Sequence, residues 1–168
     1  LGNGLYEASY VPTTAQAYTV TVTTSGAVVG TACNLQVSPG EAGKDSVASG
    51  FADGPVTNSA FSIAAKDSNN NERSSGTDAA NFFVSVVGAN GALGTVNPIT
   101  YTSGNNYAVS WSATSATMYT VNIQVAGGVN IAGSPATVTL TPGCTVHTKC
   151  LAYGPGLTGG FAGSTSEF

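Results

Sequence analysis

The sequence predicts an all-β protein made of tandem two-sheet sandwiches, one complete and two partial. Three observations carry this expectation. Apolar residues alternate with hydroxyl or amide residues from Ala17 to Thr23, from Tyr119 to Val125 and from Ala136 to Thr141. Each run would put one face on a core and the other in water. Glycine occurs 22 times, mostly between such runs, and no sustained helical stripe appears. The chain also resembles itself. Leu5 to Val22 recurs as Asn106 to Ile123, so that Tyr6 matches Tyr107, Tyr10 matches Trp111 and Tyr18 matches Tyr119, 101 positions on. That offset is close to the length of one sandwich domain.

The elements follow in order. Residues 1–40 read as the C-terminal half of one repeat, with strands near 3–11, 16–24 and 27–38. Residues 41–143 read as a complete repeat, with strands near 46–50, 58–66, 81–88, 95–101, 106–113, 117–125 and 129–141. Residues 144–168 read as a linker and the opening strand of a third repeat. A second echo sets Val29 to Gly40 against Ala132 to Gly143. A weaker one sets Val47 to Gly50, with Phe61, against Leu151 to Gly154, with Phe168. Pro39-Gly40 and Pro142-Gly143 mark the joints. The central core is expected from Phe61, Ile63, Phe83, Val84, Val86, Val109, Trp111, Tyr119, Val121, Ile123, Val138 and Leu140. Phe83 and Val84 are neighbours, so only one can point inward unless a bulge intervenes.

Composition narrows the function. Charged residues make up 7% of the chain, Lys and Arg together number four, and the net charge is −4. So little positive charge cannot hold a nucleic-acid backbone. With 42% hydrophobic residues the chain can bury a core, unlike a disordered segment. No apolar run is long enough for a membrane helix, so no membrane insertion is expected. Leu1 reads as a processed or cut end. A surface polar through Ser, Thr and Asn instead of ions lets like surfaces adhere, which suits an assembled material. Its Ser, Thr and Pro positions leave room for O-linked glycans, and no N-glycosylation sequon occurs.

Candidate chemistry is sparse. His147 is the sole histidine and has no carboxylate near it in sequence. No phosphate-binding Gly-rich loop with Lys appears. Neither a catalytic residue nor a cofactor is expected. Cys144, His147 and Cys150 have metal-like spacing but supply three ligands where a closed zinc site wants four, so no metal is assigned. A disulfide between Cys144 and Cys150 is the better reading, provided residues 145–149 loop back to bring the Cα atoms within about 7 Å. Cys33 reads as a small buried residue beside Leu35 and Val37, with a cross-link outside the segment as the alternative. Asp67 to Asp78 has calcium-ligand types at several positions, but Glu72 stands where that loop demands Gly. Asp and Asn capping a strand connection is the simpler reading. Tyr10, Tyr18, Tyr107, Trp111 and Tyr119 suggest a sugar platform less well than core packing, because their positions repeat.

Together these motifs resemble filamin-type immunoglobulin-like repeats. The opening motif of such a repeat is similar to Gly154-Pro-Gly-Leu157 followed by Ala162-Gly to Glu167-Phe168. The middle resembles Ala64-Ala-Lys-Asp67, Asn71, Arg73 and Gly76-Thr-Asp78. The close resembles Gly4 to Thr13, Tyr18 to Val22, Gly133-Ser-Pro135 and Pro142-Gly143. The likeness runs through nearly the whole chain, with Asn70 replacing a usual Gly and Thr31-Ala-Cys33 replacing Ser-Pro-Phe. The resemblance implies a non-enzymatic β-sandwich array whose third and fourth strands, here residues 81–101, accept a partner strand.

The expected function is a structural subunit of an extracellular or cell-surface filament, partnered by copies of itself or by adjacent repeats. Its assembly positions would be Gly4, Tyr6, Tyr10, Tyr18, Val20, Leu35 and Val37 at the head. At the tail they would be Leu151, Gly154, Leu157, Phe161 and Phe168. A surface adhesion or glycan-binding module is the first alternative. An intracellular actin-crosslinking rod is the second, disfavoured by the few charges and the expected Cys144–Cys150 bridge.

Overall fold

The computed structural model describes residues 6–55, 58–144, 150–154, 157, 162 and 165. Gly4, His147, Phe161 and Phe168 lie outside them. Fourteen strands are described, with one short 3-10 helix, Asp78–Asn81. The head holds β1 (Ala17–Val20), β2 (Thr23–Thr24), β3 (Ala27–Val28) and β4 (Cys33–Gln36). The sandwich follows. Its strands are β5 (Val47–Ser49), β6 (Gly54–Pro55), β7 (Asn58–Ala64), β8 (Phe83–Gly88), β9 (Thr95–Val96), β10 (Thr100–Ser103), β11 (Asn106–Ser112), β12 (Met118–Val125), β13 (Val129–Asn130) and β14 (Ala136–Thr141).

One sheet runs β10–β11–β7–β5, with β9 continuing the β10 edge along β11. In the other, β12 is central. It pairs with β8 along one side and with β14 and β13 along the other. The first strand of the sandwich is shared between sheets: β5 pairs antiparallel with β7, then β6 pairs in parallel with β14. Gly133 marks where the sheets come together at that crossover. Its φ is +83° and an added Cβ would lie 2.3 Å from the Ala48 carbonyl oxygen, so only glycine fits.

Period-2 alternation explains the core. Tyr107, Val109 and Trp111 of β11 and Phe61 and Ile63 of β7 face Tyr119, Val121, Ile123 and Val125 of β12 and Val138 and Leu140 of β14, and all are buried. Trp111 packs on Tyr119 with ring centroids 5.3 Å apart. Phe83 does not belong to this core: it is 58% exposed, whereas Phe82 is buried. Val86 and Gly88 fix the inward parity of β8, so Phe83, Ser85 and Val87 must face out.

The head departs from expectation in an instructive way. Residues 6–16 form no strand, although Tyr6 and Tyr10 echo Tyr107 and Trp111 of β11. In the sandwich β11 is held by β7 on one side and by β9 and β10 on the other. Among the described residues the head has no counterpart of those strands, and its echo of β11 pairs with none. By contrast β1 and β4 echo β12 and β14, which are neighbours in one sheet, and they pair by themselves. The 129–141 run is likewise broken into β13 and β14 at residues 131–135.

Candidate functional site: a polar joint between hairpin and sandwich

The head hairpin copies the end of the sandwich residue for residue. Tyr18 pairs with Leu35 and Val20 with Cys33, just as Tyr119 pairs with Val138 and Val121 with Ala136. The Tyr18 hydroxyl donates to the Thr14 carbonyl at 2.9 Å, and the Tyr119 hydroxyl donates to the Ser115 carbonyl at 3.0 Å. Both are four-residue reach-backs of the kind that pins the corner before a late strand in immunoglobulin-like sandwiches. One face of the hairpin then carries Tyr18, Val20, Cys33, Leu35 and Val37. Tyr18, Val20 and Val37 are half-buried, and Leu35 is 38% exposed. Cys33 is exposed, contrary to the expected burial: among the described residues no second sheet covers this face.

Between hairpin and sandwich lies the loop that follows β7. Its shape comes from short polar side chains. Asp67 N–H donates to the Asn71 carbonyl and Arg73 N–H to the Ala65 carbonyl, while Asn70 turns the chain at φ +64°. The buried Asp67 carboxylate accepts from the Asn69 and Asn71 amides, from the Asn71 side chain and, across the joint, from the Gly40 amide at 2.9 Å. Burial alone would raise its pKa, but these donors outweigh burial and lower it from 3.8 to about 2. They occupy the carboxylate as a loop cap does.

Asn71 completes the joint. Its side-chain oxygen accepts from the Ala15 amide at 2.9 Å, and its side-chain nitrogen donates to the Thr13 carbonyl at 2.8 Å. One side chain thus reads a donor and an acceptor two residues apart on the head. Arg73 forms a fork on Asp78 at 2.6 and 2.7 Å and reaches the Pro39 carbonyl at 3.4 Å. The fork raises the Arg73 pKa further. Asp78 N–H donates to the Tyr107 hydroxyl, which in turn donates to the Ser75 carbonyl. The paired charges are therefore tied to the core through an aromatic residue of β11. The residue types of this joint were visible in the sequence, but their spacing equally fits a solvent-exposed cap. Only the fold brings Thr13, Ala15, Pro39 and Gly40 to them.

The remaining candidates are scattered. Tyr6 is 95% exposed and Tyr10 54%. At the tail Leu151 and Leu157 are exposed, Gly154 is half-buried, and the described tail residues form no strand. Cys144 and Cys150 are exposed and no disulfide joins them. The loop 145–149 that would close such a bridge lies outside the described residues. The edge expected to take a partner strand is partly self-covered, since Gly94 N–H donates to the Val86 carbonyl and Gly88 N–H to that of Ala92. Around it Phe83, Val87 and Leu93 are 58%, 44% and 75% exposed.

No protein-family model matches the chain, and no curated protein does. Solved structures do. The filamin domain of Lin-41 is 20% identical, with 62% of this chain and 99% of that domain covered, at a TM-score of 0.51. Yersinia pseudotuberculosis InvD is 18% identical, with 83% of this chain and 41% of that one covered, at 0.53. The Escherichia coli adhesin FdeC is 17% identical, with 77% of this chain and 41% of that one covered, at 0.50. At these identities the likeness speaks for the fold, a filamin-type immunoglobulin-like sandwich.

Proposed function

We propose that this chain is part of a tandem array of immunoglobulin-like repeats at a cell surface or in an extracellular matrix, where its role is architectural and not catalytic. One observation carries the reading: the hairpin repeats the register and the tyrosine reach-back of the sandwich's last strands, and sits on that sandwich through a built polar joint. Repeats joined end to end by short Pro-Gly links form a semi-rigid rod. The few charges and abundant hydroxyl surface suit lateral adhesion in a wall-like material. The finer reading is a filament. In it the uncovered hairpin face of one subunit is completed by a strand from another, with tail residues 151–168 as the donor. The exposed edge around Phe83 is a further place for an extended partner segment.

An adhesive role is the second reading, favoured by the likeness to an adhesin whose chain extends well beyond this one. Electron microscopy of native material labelled with antibody against residues 41–143 tests the architectural reading. The expected result is label on surface fibrils or rods, and label spread through the cell interior would defeat it. Binding of the 168-residue chain to a glycan array, with no fibrils found, would favour adhesion instead.

A further inference from the structure

We propose that the outer end of the sandwich, formed by residues 114–116 and Pro142-Gly143, is a docking surface for the loop equivalent to Asp67–Arg73 on the repeat that follows. The inference rests on the tandem-array reading and names the contact that would hold the next joint.

The near joint shows what the loop recognises. Apart from the sandwich's own groups, it touches four backbone atoms of the head: the Thr13 carbonyl and Ala15 amide through Asn71, the Gly40 amide through Asp67, and the Pro39 carbonyl through Arg73. No head side chain takes part in these four bonds. All four groups recur at the far end. Thr114 and Ala116 stand where Thr13 and Ala15 do, and Pro142 and Gly143 where Pro39 and Gly40 do. The equivalence is geometric as well as sequential. Tyr18 anchors the carbonyl of Thr14, between the two head residues, and Tyr119 anchors that of Ser115, between the two far-end residues. Pairing Tyr18 with Leu35 and Tyr119 with Val138 in the same register holds the Pro-Gly at the same place relative to that turn.

The far-end surface is open: Thr114, Ala116, Pro142 and Gly143 are all exposed. Its partner is defined chemically. It must present a side-chain amide that can both donate and accept across one residue, and a carboxylate placed for a glycine N–H. A guanidinium must also reach the proline carbonyl. A loop of the form Asp-x-x-x-Asn-x-Arg supplies all three, and the sandwich's own copy is already engaged with the head.

The test compares amide hydrogen exchange in the 168-residue chain with that in a chain carrying a second copy of residues 41–143 fused after Gly143. The Ala116 and Gly143 amides should slow about fivefold or more in the extended chain, the factor for a hydrogen bond worth about 1 kcal/mol. The Ala116 effect should vanish when the appended copy carries Asn71→Ala. A doubled near-ultraviolet signal from Trp111 shows that both sandwiches are packed. Equal exchange in the two chains overturns the docking surface. Protection of Ala15 and Gly40 in the unextended chain separates the failures. If those amides are slow and the far ones are not, only this inference falls. If all exchange freely, the array reading falls with it.

Discussion

Trp111 shows how much a single residue contributes to the sandwich. It is fully buried against Tyr119, and its indole Nε1 has no hydrogen-bond partner among the described residues. An unpaired buried donor opposes burial of the ring, and the ring's apolar area prevails. Trp111→Ala should therefore cost about 3–5 kcal/mol. Trp111→Phe discards the unpaired N–H together with part of the ring, so it should cost much less than the alanine change. Thermal unfolding of both variants checks the ordering, and an unchanged melting curve for Trp111→Ala would remove it from the core. Trp111 was legible in the sequence because a large aromatic in an alternating strand has few other roles. Phe83 is the opposite case, exposed where Phe82 is buried. Two adjacent phenylalanines leave strand parity undecided, and only the pairing of Val86 with Val121 fixes which of them faces the core.

The loop after β7 and the hairpin β1–β4 show what an element can and cannot reveal before it folds. The hairpin is legible in the sequence because its two strands lie close together, with only the short β2–β3 pair between them, and are adjacent in the sheet. The echo of β11 in residues 6–16 forms no strand, because the partners of β11 are non-local and alternation alone says nothing about whether they are present. The role of the loop is not legible in the sequence, because its contacts span more than 50 positions, from Asn71 to Thr13 and Ala15. Its stability has a pH signature. Asp67 ionises at about 2 in the fold against an ordinary 3.8. Its carboxylate therefore stabilises the fold fully above about pH 5, and the contribution is lost as pH falls through 3.8 toward 2. The shift corresponds to about 2 kcal/mol. Urea unfolding of the native chain and of Asp67→Asn at pH 5 and at pH 2 should show their stability difference shrinking by most of that amount. A difference that stays constant between the two pH values would mean that Asp67 is not held by these hydrogen bonds.

At the scale of the whole molecule the sandwich satisfies itself and the head does not. Within the sandwich, Tyr119 is buried, because a second sheet lies over it. Its counterpart Tyr18 makes the same hydroxyl bond and shares the same strand register, yet remains partly open, beside Leu35 and Val37. Tyr6, Tyr10 and Val11 are more exposed still, at 95%, 54% and 89%. An apolar sheet face with a free strand edge attracts further strands. The 168-residue chain should therefore associate in a concentration-dependent way in sedimentation velocity. A variant ending at Cys150 identifies the donor. If residues 151–168 of one copy cover the hairpin of the next, the shortened chain stays monomeric. Their union is heterologous, so the native chain should then grow beyond a dimer into open polymers unless rotation closes a ring. If two hairpin faces instead meet each other, both chains stop at dimers, and the strand-donation filament is wrong while self-association survives. The opposing result is a compact monomer at all concentrations whose amides in 17–36 resist exchange as strongly as those in 106–141. That outcome would mean the head needs no further strand, and that copies of this chain do not complete one another.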